Sequence, residues 1–405
     1  MIINKYVPFA FLYFFLNSLA LPFGLTYTAL LSPLLYCWIV SERKKELLLP
    51  FFVCLSPFII AHAIQGVDIK TYIVSIINYT LVYIFCQAFY TFLKKCTDIG
   101  SVFKKILVLN FIFCVIALPV YFTPFDSLLW MDHAISTGIE NVSRLKLFTY
   151  EASYYAVLFT PLFFFFFVQL ILKQNKINSL MLLVMLLLPY ILSFSIGAIS
   201  CVMLSCLLTY IVYARRLTKK KRVVTLLLLA GTFSIAALVL LWIFFPQNNI
   251  FLRMENIFLG KDTSGNGRTF EAFMLAMKML DLKSHAWGIG AGQVKILGAD
   301  IIRSYYLYDL DYNNIAIPNA AAETLAIFGW IGLSLRVLIE LFLFFYTKVW
   351  TNYFRLSLFL FIFVYQFTGS FVTNIAEYVI WILAFTNVFA EFNVEKKWKV
   401  KNYTL

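Results

Sequence analysis

Long apolar runs, separated by short polar or basic stretches, make up most of the chain. Because a helix needs about 20 apolar residues to cross the hydrocarbon core of a bilayer, runs of this length predict membrane-spanning helices. We expect about twelve of them, at residues 7–23, 24–40, 47–64, 71–93, 106–122, 152–172, 180–195, 196–213, 223–246, 331–347, 357–373 and 376–391. The stretch 180–213 is too long for one span and has basic residues on both sides, which predicts two short helices that turn at Ser193–Gly197.

The first apolar run has one alternative interpretation, a signal peptide cleaved after the small-residue sequence Ser18-Leu19-Ala20. The next apolar run begins almost at once and ends in the basic sequence SERKKE, which is typical of a helical hairpin. We therefore expect an uncleaved first helix.

Two segments between the predicted spans are too long to be simple turns, at residues 123–151 and 247–330. The second lies between the ninth and tenth predicted helices and has room for a small subdomain outside the membrane. Its sequence TFEAFMLAMKMLDL has the spacing of an amphipathic helix that lies on the bilayer or on the helix bundle. The apolar stripe of this helix consists of Phe270, Phe273, Met274, Met277 and Leu280. The whole pattern predicts an all-α, polytopic membrane protein in which residues 1–405 form a single membrane domain.

The composition excludes a water-soluble protein, since 62% of the residues are hydrophobic and only 13% are charged. Ordinary soluble domains carry about 25% charged residues. The formal net charge is +13, and its positive excess lies in short loops between the apolar runs. These basic loops are at residues 43–45, 94–105, 173–176, 215–222, 348–355 and 396–401. With both termini in the cytoplasm, every basic loop is cytoplasmic, so the charge indicates orientation in the membrane and not nucleic-acid binding.

The positions of cysteine and histidine predict neither disulfides nor a zinc site. The seven cysteines lie in apolar runs or in the loop 94–105, and they have no ligand spacing with His62, His133 or His285. We therefore expect no metal and no cofactor.

Arginines and a carboxylate near the two long loops are candidates for phosphate chemistry. Arg268 follows the sequence SGNG and opens the amphipathic helix, where free N–H groups and a guanidinium can bind an anion. The alternative is an arginine in a solvated loop. Arg144 precedes the helix at 152–172 and can meet a lipid phosphate. Glu151 is either a helix-terminal residue or a general base.

Two further sequences are candidates for contact with a substrate. The sequence WGIGAG contains Gly288 and Gly290, whose freedom at positive φ predicts a tight turn or close backbone approach. The sequence RSYYLYDLDYNN contains Arg303, Tyr305 and Asp309. Aromatic rings and carboxylates bind sugar faces and hydroxyls, but they are also typical of an interfacial aromatic belt.

Ionisable residues also occur inside the predicted spans. Arg336 and Glu340 lie four residues apart on one face of the tenth predicted helix, and Glu377 begins the last one. Charges in a membrane usually face the interior of the helix bundle. Two interpretations stay open, a structural ion pair and a role near lipid phosphates. Glu377 is a candidate member of the same site.

Three stretches, RLKLFTYEASYYA, SGNGRTFEAF…WGIGAG and PNAAAETLAIFGWIGL, together resemble the O-antigen polymerase and ligase superfamily of bacterial envelope glycosyltransferases. The resemblance implies that Arg144 and Arg268, with Arg303 as a third, bind the diphosphate of an undecaprenyl-diphosphate-linked glycan. It also implies that Gly288 and Gly290 form the Gly-rich turn of the family.

The sequence departs from the family pattern before the last external helix. The family often has His-Asn there, and its ligases rely on that histidine, whereas this chain has Pro318 and Asn319. Glu323 falls where the family often has glutamate. The departure disfavours a ligase and leaves Glu151 and Glu323 as alternative bases or acceptor-orienting groups, with Asn319 among the substrate-binding candidates.

The function that the resemblance implies is polymerisation of O-antigen repeat units, a step of lipopolysaccharide biosynthesis, on the external face of the bacterial inner membrane. Growing polysaccharide on undecaprenyl diphosphate is the donor, and a fresh lipid-linked repeat unit is the acceptor. Membrane lipid and a chain-length regulator protein are the expected partners. The alternatives are an O-antigen ligase and a flippase or transporter of lipid-linked oligosaccharide, which would carry functional charges around a central cavity.

Overall fold

The computed structural model describes residues 7–18, 21, 26–43, 48–133, 142–174, 177–217, 256, 259, 263–306 and 315–394. The predicted span 223–246, the candidate Asp309 and both termini lie outside these residues.

The described residues are mostly helical. In chain order, the helices are α1 (Val7–Phe15), α2 (Tyr27–Leu30), α3 (Ser32–Arg43), α4 (Leu48–Gln65), α5 (Ile69–Lys95), α6 (Ile99–Val120), α7 (Asp126–Leu129), α8 (Ala152–Leu172), α9 (Ser179–Ser193), α10 (Ile196–Val212), α11 (Ala214–Leu217), α12 (Thr263–Arg268), α13 (Phe270–Leu280), α14 (Ala299–Tyr306), α15 (Ala320–Tyr346), α16 (Tyr353–Tyr365) and α17 (Ile375–Phe385). Among them, α4, α5, α6, α8 and α15 are long and apolar enough to cross a membrane. Shorter apolar helices lie at most other predicted spans, so the number of crossings stays a prediction.

Side-chain caps and one predicted turn set the ends of several helices. Asp or Asn side chains accept hydrogen bonds from the first backbone N–H groups of α5, α6, α9, α15, α16 and α17. The turn predicted within 180–213 is confirmed, because α9 ends at Ser193 and Phe194 adopts a left-handed φ of 46°.

Helix α8 is the centre of the bundle. Nearly all of its side chains are buried, and it packs against α9, α10, α16 and α17. A central, fully packed helix holds its first residues firmly, and Glu151 lies directly before them.

The polar contacts of the bundle define two opposite ends. At the first, which we call the site end, the starts of α5, α8, α15 and α17 meet the ends of α4, α9 and α16. At the second, the basic end, the hydroxyl of Tyr213 donates to the carbonyl of Trp350, and the backbone N–H of Val394 donates to Thr351. The described basic residues at or near the ends of helices there include Arg43, Lys94, Lys95, Lys104, Lys105, Lys173, Arg215, Arg216 and Lys348.

Helix α15 is broken at Gly329, which has φ 67° and ψ −168°. The guanidinium of Arg336 donates to the hydroxyl of Thr324 at 3.0 Å. Residues twelve apart in a straight helix are separated by about 18 Å, farther than an arginine side chain reaches. The break therefore bends the first arm, residues 320–328, back toward the second arm, residues 330–346. The helix predicted from 331 corresponds to the second arm, and the first arm belongs to the predicted loop 247–330.

A short β-hairpin in the first long loop was not predicted by the all-α interpretation. Strands β1 (Trp130–His133) and β2 (Val142–Leu145) pair antiparallel, with Met131 opposite Arg144. The indole N–H of Trp130 donates to the carbonyl of Ala117 at 2.8 Å, which fixes the hairpin to the end of α6. Strands of four residues are too short to show a clear alternation in the sequence.

The predicted amphipathic helix is present as α13 and packs on the bundle, but its buried face differs in part from the predicted stripe. Of the predicted stripe, Leu280 is buried and Phe273 packs against the core, whereas Phe270 is 72% exposed and Met277 is 36% exposed. The predicted position on the helix bundle is therefore confirmed, the predicted stripe is right only in part, and contact with a bilayer stays a prediction. The buried residues are Ala272, Leu275, Ala276, Met279 and Leu280. The two alanines let α13 pack closely against α15, while Leu275, Met279 and Leu280 fill the core beside them.

Candidate functional site

A salt bridge between Glu151 and Arg268 lies at the site end. Glu151 occupies the N-cap position of α8, but its side chain makes no hydrogen bond to the N–H groups of that helix. Instead the carboxylate accepts a hydrogen bond from the hydroxyl of Ser153 and one from Arg268 Nη2 at 3.1 Å. The two side chains are 19% and 31% exposed, so the pair is partly buried.

The charge environment keeps Glu151 ionised. Burial by itself would raise the pKa of this carboxyl, but the positive charge of Arg268 and the hydrogen bonds from Ser153 and Arg268 outweigh burial and lower the pKa. The charge of Arg144 acts in the same direction. Two predicted residues, Arg144 and Arg268, therefore both lie within electrostatic reach of a third, Glu151. A lowered pKa also makes Glu151 a poor proton acceptor.

Arg144 is held in place by a helix end. It lies on β2, is buried, and donates from Nε to the carbonyl of Ser193 at 3.0 Å. The last carbonyls of a helix carry partial negative charge, so a guanidinium at the end of α9 is stabilised.

Asn319 links Arg268 to the start of α15. Its side-chain amide donates to the carbonyl of Arg268 at 2.8 Å and to that of Phe367 at 2.7 Å. Its oxygen caps α15 by accepting from the N–H of Ala322 at 2.9 Å. Asn319 is fully buried, and its hydrogen bond to the Arg268 carbonyl holds the backbone there in position. Its predicted contact with substrate stays a prediction.

The Gly-rich turn braces the break in α15. Residues 285–290 donate and accept backbone hydrogen bonds with residues 326–331. Gly288 and Gly290 have positive φ angles of 77° and 102°, and Gly288 lies directly against Gly329. The close approach expected of these glycines is present, and their predicted role in binding substrate stays a prediction.

The Gly-rich turn and the residue that follows it, Gln293, also contact the end of α4 and the start of α5. The amide oxygen of Gln293 accepts from the N–H of Asp68 at 3.1 Å, and its NH2 group donates to Thr71 Oγ1 at 3.2 Å. A ring nitrogen of His62 lies 2.9 Å from the carbonyl of Trp287. These contacts attach the predicted large loop to the helix bundle.

A cavity of about 710 Å³, here called the polar chamber, opens next to Glu323. One carboxylate oxygen of Glu323 accepts from the N–H of Val372 at 2.7 Å. The polar residues that line the chamber are Lys70, Thr71, Ser75, Asn78, Lys295, Glu323 and Thr373. The sequence drew attention to Glu323 alone. Lys70 and Lys295 have a weaker signal, as they are basic residues outside the basic loops.

A second cavity, of about 690 Å³, lies between α4, α5, α15 and α17 and is here called the apolar crevice. Tyr79 lines both cavities, so they share a wall. Aromatic residues of the crevice include Phe51, Tyr79, Tyr83, Tyr90, Phe328 and Phe385.

Arg336 anchors a buried polar network beside the crevice. Its Nε lies 3.3 Å from Glu340 and 2.7 Å from the side-chain oxygen of Gln366, and an Nη atom donates to Glu377. The pairing with Glu340 and the participation of Glu377 are confirmed, whereas Gln366 was not predicted. Arg336 and Glu340 also line the crevice.

The remaining candidates lie on a separate helix or outside the described residues. Arg303 and Tyr305 are on α14, and the ammonium of Lys278 lies 5.2 Å from the centroid of the Tyr305 ring. Their predicted roles and that of Asp309 stay predictions.

No protein-family model matches the chain, and no curated protein is significantly similar to it. Among the residues that the structure describes, no group of three His, Cys, Asp or Glu side chains is arranged to hold a metal ion.

Proposed function

We propose that the protein is a membrane glycosyltransferase that polymerises undecaprenyl-diphosphate-linked polysaccharide repeat units. The observation that carries the proposal is the position of Arg144 and Arg268, which both act on Glu151 at the site end. Two guanidinium groups around one carboxylate suit a ligand whose phosphates bring further negative charge. The three stretches that resemble O-antigen polymerases contain these residues.

In the proposed reaction, the acceptor hydroxyl attacks C1 of the donor sugar while the bond from C1 to the diphosphate breaks. The diphosphate leaves with the bonding electrons, and Arg144 and Arg268 stabilise its developing charge. Glu151 orients Arg268 through their salt bridge. The hydroxyl proton passes to a base, for which Glu323 is the better candidate because the pKa of Glu151 is lowered.

The proposed location is the bacterial inner membrane, with the site end outside and both termini in the cytoplasm. The collection of Lys and Arg residues at the basic end supports this orientation. Long-chain O-antigen is the proposed product, and a chain-length regulator the proposed partner.

The test is polymer formation by the Arg268→Ala variant. Purified protein is incubated with a defined lipid-linked repeat unit, and the products are resolved by length. We expect chain growth to fall by about 100-fold or more, as when an oxyanion-stabilising donor is removed. Arg215→Ala, an exposed arginine at the basic end, is the matched control and should retain full activity. Normal long products from Arg268→Ala at equal protein level would show the proposal to be wrong.

A transporter of lipid-linked oligosaccharide is a second candidate, favoured by the network beside the crevice. One arginine there faces two carboxylates, Glu340 and Glu377, and Glu377 Oε2 is buried without a hydrogen-bond partner among the described residues. Intramembrane charges beside a cavity are typical of transport pathways. Movement of a fluorescent lipid-linked sugar across liposomes without chain growth would favour this candidate over the polymerase.

A further inference from the structure

The polar chamber is joined to the arginine site through the first turn of α15. The amide of Asn319 donates to the Arg268 carbonyl, and the carbonyl of Asn319 accepts from the N–H of Glu323 at 2.8 Å. Glu323 therefore lies one helical turn, about 5.4 Å along the axis, from the residue that holds Arg268. Because Glu323 lines the chamber, this cavity contains the proposed base and lies next to the proposed diphosphate site.

Two lysines from distant segments line the chamber. Lys70 is in the first turn of α5, and Lys295 ends a short helical turn that begins at Gln293. The side chain of Gln293 fixes this turn against α5, because it pairs with the N–H of Asp68 and the hydroxyl of Thr71. The chamber therefore receives cations from two elements that are packed together.

The charge of the lining suits a ligand with one negative charge. Glu323 offsets one of the two lysines, which leaves one excess positive charge. Asp68 acts on Lys70 from outside the lining, where its carboxylate accepts hydrogen bonds from Thr71. A diphosphate carries more negative charge than this lining balances, and Glu323 would repel it. A single carboxylate is balanced.

The uncharged part of the lining suits a sugar. Ser75, Asn78 and Thr373 supply hydroxyl and amide groups, which donate and accept hydrogen bonds as sugar hydroxyls do. Tyr79 supplies an aromatic ring. The volume of about 710 Å³ falls within the range of about 300–1,000 Å³ that is typical of small-molecule sites. The chamber thus combines groups for several hydroxyls with a charge for one carboxylate.

We infer that the chamber binds the acceptor end of the polysaccharide and selects a terminal sugar that carries a carboxylate, such as a uronic acid. Lys70 and Lys295 bind this carboxylate, and Glu323 meets a hydroxyl of the same sugar. The role as an acceptor site rests on the proposed function, whereas recognition of the carboxylate does not. The product of the proposed reaction is accordingly an acidic polysaccharide.

The experiment measures the binding of disaccharides to the purified full-length protein in nanodiscs. The probe has glucuronic acid as its terminal sugar, and the matched control has glucose there. We expect the acid to bind about tenfold more tightly, because it adds charge-assisted contacts. Lys70→Gln/Lys295→Gln should remove this preference, whereas Lys104→Gln/Lys105→Gln, which removes the same charge at the basic end, should retain it.

Coupling with a carbodiimide locates the bound acid, since it joins a carboxylate to an amine in contact with it. We expect the coupled peptides to contain Lys70 or Lys295. Coupling to other lysines alone, or equal affinity for the acidic and neutral disaccharides, would overturn the inference. Acetate that binds as tightly as the acidic disaccharide would also overturn it, by showing a simple anion site.

Folding and turnover do not confuse these outcomes. Lys70 is exposed and Lys295 is half-buried, so their replacement should leave the melting temperature unchanged. Disaccharide binding needs no donor. A preference for the acid in a protein that forms no polymer would contradict the proposed reaction alone. Polymer formation that depends on Arg268, without any preference for the acid, would contradict the carboxylate site alone.

Discussion

Glu151 and Arg268 affect one another's geometry more than the stability of the fold. Their side chains are partly exposed, so solvent screens the attraction, and a pair of this kind contributes about 1 kcal/mol or less. A carboxylate that holds a guanidinium in one orientation nevertheless lowers the cost of ordering it when a phosphate arrives. Asn319 acts on the same residue from the other side, through the Arg268 carbonyl.

The salt bridge predicts how stability depends on pH. The pKa of Glu151 is lower in the folded protein than its ordinary value of 4.5, so the pair stabilises the fold above that value. This stabilisation is lost as pH falls through the lowered pKa. We expect Glu151→Gln to reduce the melting temperature by the same amount from pH 8 to pH 6. The difference from the native protein should shrink only in acid, below about pH 4.5.

Thermal unfolding in detergent, followed by tryptophan fluorescence, measures this difference. Ser153→Ala is a useful companion variant, because it removes a hydrogen bond to Glu151 and leaves both charges in place. A difference between native and Glu151→Gln protein that already disappears between pH 8 and pH 6 would contradict the lowered pKa.

At the scale of elements, the break in α15 determines where several functional candidates lie. It separates a short arm that carries Glu323 from a long arm that carries Arg336. The two arms line the crevice together, and backbone hydrogen bonds from the Gly-rich turn satisfy peptide groups around the break. A helix that continued straight through Gly329 would separate Thr324 from Arg336 and open the crevice.

The break predicts a large effect of Gly329→Ala. A Cβ there would lie against the carbonyl oxygen of Ala286, and the φ of 67° with ψ of −168° is a conformation that essentially only glycine adopts. Gly66→Ala is the matched control, since Gly66 has a φ of 73° but no atom within 4 Å of its Cβ. We expect a much larger fall in melting temperature for Gly329→Ala than for Gly66→Ala. Equal falls in the two variants would mean that the backbone contact is unimportant.

At the scale of the whole molecule, the two ends differ in charge balance. The described helix ends and loops at the basic end carry mostly Lys and Arg, whereas the site end mixes both signs around Glu151, Arg268, Lys70 and Glu323. Cytoplasmic loops retain basic residues during insertion, so the mixed end is expected outside. The proposed reaction requires this orientation, because its lipid-linked substrates are used on the external face.

Single-cysteine labelling tests the orientation. In a background without the native cysteines, we expect a membrane-impermeant maleimide to label Asp281→Cys in spheroplasts. Lys105→Cys should be labelled only after the membrane is permeabilised, and both positions are exposed in the fold. The reverse pattern would place the site end in the cytoplasm and contradict the proposed reaction.

Run length and loop charge were sufficient to predict a helical membrane protein with one basic side. These signals are local, because a span must be apolar over its own length and a loop is basic in its own residues. The turn after Ser193, the amphipathic helix at 270–280 and the pairing of Arg336 with Glu340 are local in the same sense, and each is present. Arg144, Glu151 and Arg268 were selected for their chemistry near helix starts, and they do lie near one another.

Other features depend on segments that are far apart in the chain. The buried face of α13 is set by its packing on α15, a segment about 50 residues farther along the chain. The bend at Gly329 needs residues 285–290 as its partner, and the chamber is lined by Lys70 and Lys295, which are far apart in the chain. No local sequence pattern contains this information. The hydrophobic effect is non-directional, so it does not specify which apolar face packs against which partner. A cavity exists only where the surfaces of several packed segments meet.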